Sequence, residues 1–149
     1  MAHRKTLTET EILFTNTQRV ARLATADLDG HPHIVPVCYA YDGIHFYIPL
    51  DEKPKRVEEH QLKRVRNILA RHEASLLIDQ YDDDWSRLGY ILVYGHAALL
   101  QPEDALHAQA LVLIRERYIQ YRSMALEKHA MIVITPASVT SWGPALGRE

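Results

Sequence analysis

Apolar and polar positions fall into two periods along the chain, and the switches between them mark out its elements. RVARLAT (19–25) alternates apolar with polar residues and predicts a strand. HIVPVCYAY (33–41) and IHFYI (44–48) predict two more strands. The turns between them carry Asp29-Gly30 and Asp42-Gly43, pairs suited to tight turns that need positive φ. Ahead of these strands, Thr8 with Glu11 three residues later is a capping-box pattern. It opens a short helix carrying Ile12, Leu13 and Phe14. From about Pro54 the period becomes helical, with Val57, Leu62, Val65, Ile68 and Leu69 on one side. Arg56, His60, Lys63, Asn67 and Arg71 gather on the other. ASLLIDQY (74–81) and GYILVYGHAALL (89–100) are strand-like again, separated by the polar loop DDDWSR. Pro102-Glu103-Asp104 opens a further helix running to about Lys128, with Leu106, Ala110, Leu111, Leu113, Ile114 and Tyr118 as its buried stripe. MIVITPASVTSW (131–142) is the last strand. The order is helix, three strands, helix, two strands, helix, strand. This predicts a mainly β fold, a six-stranded antiparallel barrel flanked by helices.

Composition narrows the function classes. The 149 residues suit a single domain spanning 1–149, with no internal repeat or Pro/Gly-rich linker dividing it. A formal net charge of -2 argues against a broad basic field for nucleic acid. No apolar run is long enough to span a membrane, and MAHRKTLTETE has no apolar core of a secretory signal. Cys38 is the single cysteine, which excludes an internal disulfide and fits a reducing cytoplasm. Within IVPVCYAY it reads as a small buried hydrophobe rather than a nucleophile.

Candidate chemistry concentrates in two places. Residues 53–71 hold seven of the 17 Lys and Arg residues against Glu58 and Glu59 alone. A solvated helix face would explain that. However, Lys53, Lys55 and Arg56 stand where a strand hands over to a helix N-terminus, whose dipole and free N–H groups favour an anion. A phosphate would offset the unfavourable cationic charge there. Pro36 cannot donate a ladder bond, so it belongs at an edge or bulge, either guarding the edge or exposing flat backbone to a planar ring. His31, His33 and His45 lack the supporting ligands of a metal site, and none is expected. Asp82, Asp83 and Asp84 read as a hydrophilic loop, with Trp85 beside them as a possible wall of a ring site. No Gly-rich phosphate loop, GxSxG or paired-carboxylate spacing is present.

Taken in order, RVARLATADLDGHPHIVPVCY, GIHFYIPLDEKPKR and LKRVRNILARHEASLLIDQYDDDW resemble the flavin-binding split-barrel proteins related to pyridoxamine 5'-phosphate oxidase. KPK, LKRVRNI and YDDDW look most like a branch of small deazaflavin (F420)-dependent oxidoreductases. The resemblance covers about residues 15–142 and implies a split barrel that binds FMN or F420. Val35, Pro36 and Val37 match the strand whose backbone faces the ring. Lys53, Lys55 and Arg56 match the basic group on the cofactor phosphate. Arg64 and Asn67 lie where the family's helix adds contacts to the same tail, and Trp142 resembles an aromatic that reaches a cofactor across a dimer. The oxidase itself carries an Arg and a Lys on its second strand where this chain has His33 and Cys38, and an Arg on its fifth where this chain has Leu92. Those departures count against pyridoxamine phosphate as the substrate.

The expectation is therefore a cytoplasmic, homodimeric oxidoreductase that moves a hydride between flavin or F420 and a small organic substrate, with no side chain assigned as acid or base. A non-catalytic carrier or sensor of flavin, F420 or haem is the first alternative. A barrel-type nucleic-acid module using the 53–71 face is the second.

Overall fold

Thr8 caps α1 (Glu9–Thr17) as the capping box requires. Its hydroxyl accepts from the Glu11 N–H at 3.2 Å, and the Glu11 carboxylate accepts from the Thr8 N–H at 2.9 Å. The computed structural model describes residues 3–50 and 62–147. After α1 come β1 (Ala21–Ala26), β2 (Pro32–Val37), β3 (Ala40–Tyr41), β4 (Phe46–Pro49), α2 (Lys63–Arg71), β5 (Glu73–Gln80), β6 (Gly89–Leu100), α3 (Ala105–Arg117) and β7 (Met131–Trp142). The strands form one antiparallel sheet in the order β2-β1-β5-β6-β7-β4-β3.

That order forces the sheet to curl. β2 and β3 lie at opposite edges, yet only Cys38 and Tyr39 separate them in sequence. Three Cα steps reach about 11 Å at most. Seven flat strands would hold the two edges roughly 29 Å apart. The sheet therefore wraps until its edges approach, giving a split barrel. The single strand expected over 33–41 is thus two strands, and the described sheet has seven rather than six. The break falls at Tyr39, whose N–H donates to the Tyr118 hydroxyl at 3.2 Å.

Inside the barrel, Leu23, Phe46, Leu76, Ile91 and Ile132 pack with Val65 and Ile68 of α2 and Phe14 of α1. α3 covers a second cluster built on Tyr47, Leu111, Ile114 and Met131. It ends at Arg117, well before Lys128, because Tyr118 turns to φ -127°, ψ 109°. Two short 3-10 turns, Ile119–Ser123 and Leu126–Lys128, fill the rest of the expected helix. On α2 the expected polar side is broken as well: Asn67 is buried and Leu69 exposed. Among the described residues, no helix is long and apolar enough to cross a membrane.

Among the described residues Glu11 is the one buried carboxylate, and its burial alone would raise its pKa. Hydrogen bonds from both terminal nitrogens of the Arg4 guanidinium, one of them Nη2 to Oε2 at 3.0 Å, and from the Thr8 N–H outweigh burial and hold the pKa down at about 2. A depressed carboxylate contributes stability above its unfolded value near 4.5 that is lost as pH falls through about 2. Glu11→Gln is expected to be less stable than the native chain at pH 7, with the gap narrowing as pH is lowered from 4.5 towards 2. Urea unfolding across that range measures it, and a gap independent of pH would refute the assignment.

Candidate functional site

Among the described residues β2 pairs with β1 alone and has no strand at its other edge, a position that suits the missing donor of Pro36. Pro32, Ile34 and Pro36 are exposed, while His33 and Val35 are half-buried and Val37 buried, so alternate residues face out and in. Val35, Pro36 and Val37 therefore present an open strand edge. Thr25 lies opposite His33 on β1, and α2 packs against both strands. The Asn67 Nδ2 donates to Thr25 Oγ1 at 3.0 Å, which is why that amide turns inward. The Nδ1 of His33 is shielded from solvent and has no hydrogen-bond partner among the described residues.

α2 begins without a side-chain cap and without an acid in its first turn, where Lys63 and Arg64 stand instead. Free N–H groups together with cations at a helix N-terminus suit an anion. Part of the basic strip is already engaged. Lys63 Nζ pairs with Asp27 Oδ2 at 3.2 Å, and Arg71 pairs with Glu73 at 3.1 Å while donating to the Asp27 carbonyl at 3.0 Å. The Asp27 carboxyl is held far below the usual carboxylate range, first by the His31 N–H and then by Lys63. Lys53, Lys55 and Arg56 lie outside the described residues. With an unpartnered buried imidazole nitrogen, an open strand edge and an uncapped cationic helix start, the described residues fit the polar edge and anionic tail of a flavin-like group.

The histidines do not converge. His33 faces inward, whereas His31 sits in the β1–β2 turn with Asp27 and Asp29, ligand atoms within 4.8 Å of one another. The Asp27 carboxylate there already accepts the Asp29 and His31 N–H groups and Lys63. His45 pairs with Asp42 at 3.2 Å in the β3–β4 turn.

Trp142 lies elsewhere on the barrel. On the outer face of β6, Tyr90, Leu92, Tyr94 and His96 are exposed between buried Ile91, Val93 and Gly95. Trp142 is opposite Tyr90, with ring centroids 6.2 Å apart. With Leu77, Asp79, Tyr81 and Leu88, these rings line a groove of about 430 Å³. Trp85, 69% exposed on the 3-10 turn Trp85–Arg87, does not line it. Three strands, β1, β5 and β6, separate Trp142 from Pro36. At about 4.8 Å per strand that is roughly 19 Å, and more across a convex surface. One chain's Trp142 therefore cannot cover its own β2. Asp79, Tyr81 and Tyr90 escaped the sequence reading. For Tyr90 the signal is GYILVYGH, apolar at outward as well as inward positions, which a strand facing only water would not be.

A family model described as pyridoxamine 5'-phosphate oxidase matches residues 8–143. The chain belongs to the pyridoxamine 5'-phosphate oxidase family. No curated protein matches it. Among solved structures, a conserved hypothetical protein of Mycobacterium tuberculosis superposes with a TM-score of 0.73 at 23% identity, covering 100% of this chain and 94% of that one. The haem-storage protein HutZ of Vibrio cholerae gives 0.70 at 15% identity, covering 91% and 93%. Both share the fold. An FAD-binding protein of Mesorhizobium loti gives 0.61 at 26% identity, covering 95% and 97%. Within the pyridoxamine 5'-phosphate oxidase family, this chain's departures have definite places. His33 faces inward beneath α2, Cys38 is half-buried at the β2–β3 crossover, and Leu92 is exposed opposite Leu77 and Thr140.

Proposed function

We propose that this member of the pyridoxamine 5'-phosphate oxidase family is a homodimeric oxidoreductase that binds FMN or F420 and exchanges a hydride with a small organic substrate. The observation that carries this reading is the division of the site. Among the described residues, an open β2 edge beside an uncapped, cationic α2 lies at one end of the strand order, and the aromatic side chain of Trp142 lies with three strands between. A two-fold arrangement would set one chain's Trp142 over its partner's β2, completing two equal sites. Exposed Ile34, Leu92 and Tyr94 supply apolar surface for such a contact.

In that arrangement the backbone of Val35, Pro36 and Val37 would face the ring. Lys53, Lys55, Arg56 and Arg64 would hold the anionic tail, and Asn67, through Thr25, would fix α2 beside β1. Trp85, on its exposed turn, would flank the site from the partner's side. The bound cofactor supplies the hydride chemistry. The chain orients it, exclude water with Trp142, and neutralises its tail. A longer anionic tail such as that of F420 would use more of the basic strip than the FMN phosphate, but Lys63 and Arg71 already have acidic partners, so both cofactors are tested side by side.

The test combines visible spectra of the purified protein with titration of FMN, F420 and haem, followed by sedimentation. Lys55→Ala is expected to weaken flavin or F420 binding about tenfold or more, the worth of one charge-assisted contact. A monomer binding cofactor at full affinity would defeat the proposal. Tight haem binding without reduction of any acceptor would instead favour a carrier, a reading suggested by the fold shared with HutZ.

A further inference from the structure

His31, His33 and His45 stay apart, but two other histidines meet on the surface at the end of α2. His72 closes that helix and His96 stands on β6, with ring centroids 5.8 Å apart and planes within 8° of parallel. Both are exposed, and among the described residues neither imidazole has a hydrogen bond or an ion pair. By contrast, His31 pairs with Asp27, His45 with Asp42, and His107 with the His129 carbonyl. The backbone beneath the pair is fixed. His72 is left-handed at φ 56°; its N–H donates to the Ile68 carbonyl at 2.7 Å and its carbonyl accepts from Ala97 at 2.9 Å. His96 is laddered to Glu73 on one side and to Thr135 on the other. An ion about 2.0–2.1 Å from an imidazole nitrogen lies about 3.2 Å from the ring centre, so one ion links rings whose centres are about 5–6 Å apart. Only the ring torsions have to adjust, and in histidine these are soft. The Glu73 carboxylate, held ionised by the Tyr94 hydroxyl and Arg71, adds negative charge beside His96. Imidazole suits late first-row ions, whereas Mg2+ and Ca2+ prefer oxygen ligands.

We propose that His72 and His96 together bind one late first-row divalent transition ion, Cu2+ most tightly, with water completing its coordination. The site shares neither ligand with the proposed cofactor site and stands independently of that reading. Two protein ligands make it an exchangeable surface site rather than a closed structural one. It ties the C-terminus of α2 to β6, so a bound ion should also raise the Tm. Isothermal titration of Cu2+, Ni2+, Zn2+ and Mg2+ is run on the full, tag-free chain carrying His3→Ala, which removes the imidazole nearest the chain start. One ion per chain is expected, with Cu2+ tightest and Mg2+ unbound. His72→Asn keeps a residue that tolerates the left-handed conformation, and with His96→Gln it should weaken Cu2+ about tenfold or more while leaving the ion-free Tm unchanged. Electron paramagnetic resonance of the Cu2+-loaded chain should show two imidazole nitrogens, and one in either variant. Unchanged Cu2+ affinity in either variant, or affinity lost instead in His31→Ala, overturns the proposal. So does a single imidazole nitrogen on Cu2+ in the chain that keeps both histidines, a result that does not depend on how the variants fold.

Discussion

Gly95→Ala is expected to cost about 3 kcal/mol or more, the upper end for overpacking a structure that cannot yield. Gly95 is buried on β6 at the point where the register with β7 shifts: Tyr94 faces Ser138, but Gly95 faces Pro136. A Cβ there would stand 2.3 Å from the Thr135 carbonyl oxygen and 3.0 Å from the Pro136 Cα. Both are backbone atoms, so no side chain can swing aside. β6 is also held by ladders on both sides, to β5 and to β7, so the strand cannot retreat. For a chain of this length the loss corresponds to a Tm lower by roughly 6–12 °C. Thermal and urea unfolding measure it, and a loss under 1 kcal/mol would mean that the bulge relaxes freely.

Arg117→Met should be nearly as damaging, with a loss of about 2–3 kcal/mol, although it keeps most of the side chain's apolar length. The guanidinium gathers the carbonyls at the end of α1, donating to Thr15 at 3.2 Å, to Asn16 at 2.9 Å and to Gln18. Its Nε donates to the Tyr118 hydroxyl at 3.1 Å, and the group lies 4.8 Å from the Tyr39 ring centre. The fully buried Tyr39 hydroxyl turns to the same Thr15 and Gln18 carbonyls. Charged hydrogen bonds contribute about 1.5–3 kcal/mol each, and stranded carbonyls carry a further penalty. The same residues pin the β2–β3 crossover. The variant should therefore weaken cofactor binding as well as stability, through β2. Equilibrium unfolding and cofactor titration on one preparation test both; native stability would show that Tyr39 and Tyr118 suffice.

How much of this is legible in the sequence depends on what sets each element. β6 and β7 are long strand-like segments bounded by polar loops, and their expected bounds match the observed ones. The capping box of Thr8 and Glu11 is a local device and is equally plain. The break after Val37 is not, because it depends on Tyr118, far along the chain, drawing away the Tyr39 N–H. The inward turn of Asn67 is hidden for the same kind of reason: helical periodicity sets it on the polar side and knows nothing of the Thr25 hydroxyl beneath it. At the site, Pro36 narrows β2 to an edge or a bulge, since proline's missing donor is a local fact, and the pairing order decides for the edge. The groove at Trp142 was only half visible. It is assembled from three strands, which no single stretch of the sequence brings together.

β4 has its two strand neighbours at very different distances along the chain. β3 immediately precedes it, but the pairing of Phe46 with Ile134 waits for nearly the whole polypeptide. A ribosome adding about 5–20 residues per second needs roughly 4–18 s to cover that interval. All four β4 residues are buried in the finished barrel, so throughout that time the nascent chain carries a bare apolar edge. Aggregation during synthesis is therefore a hazard set by strand order, separate from the stability of the finished barrel.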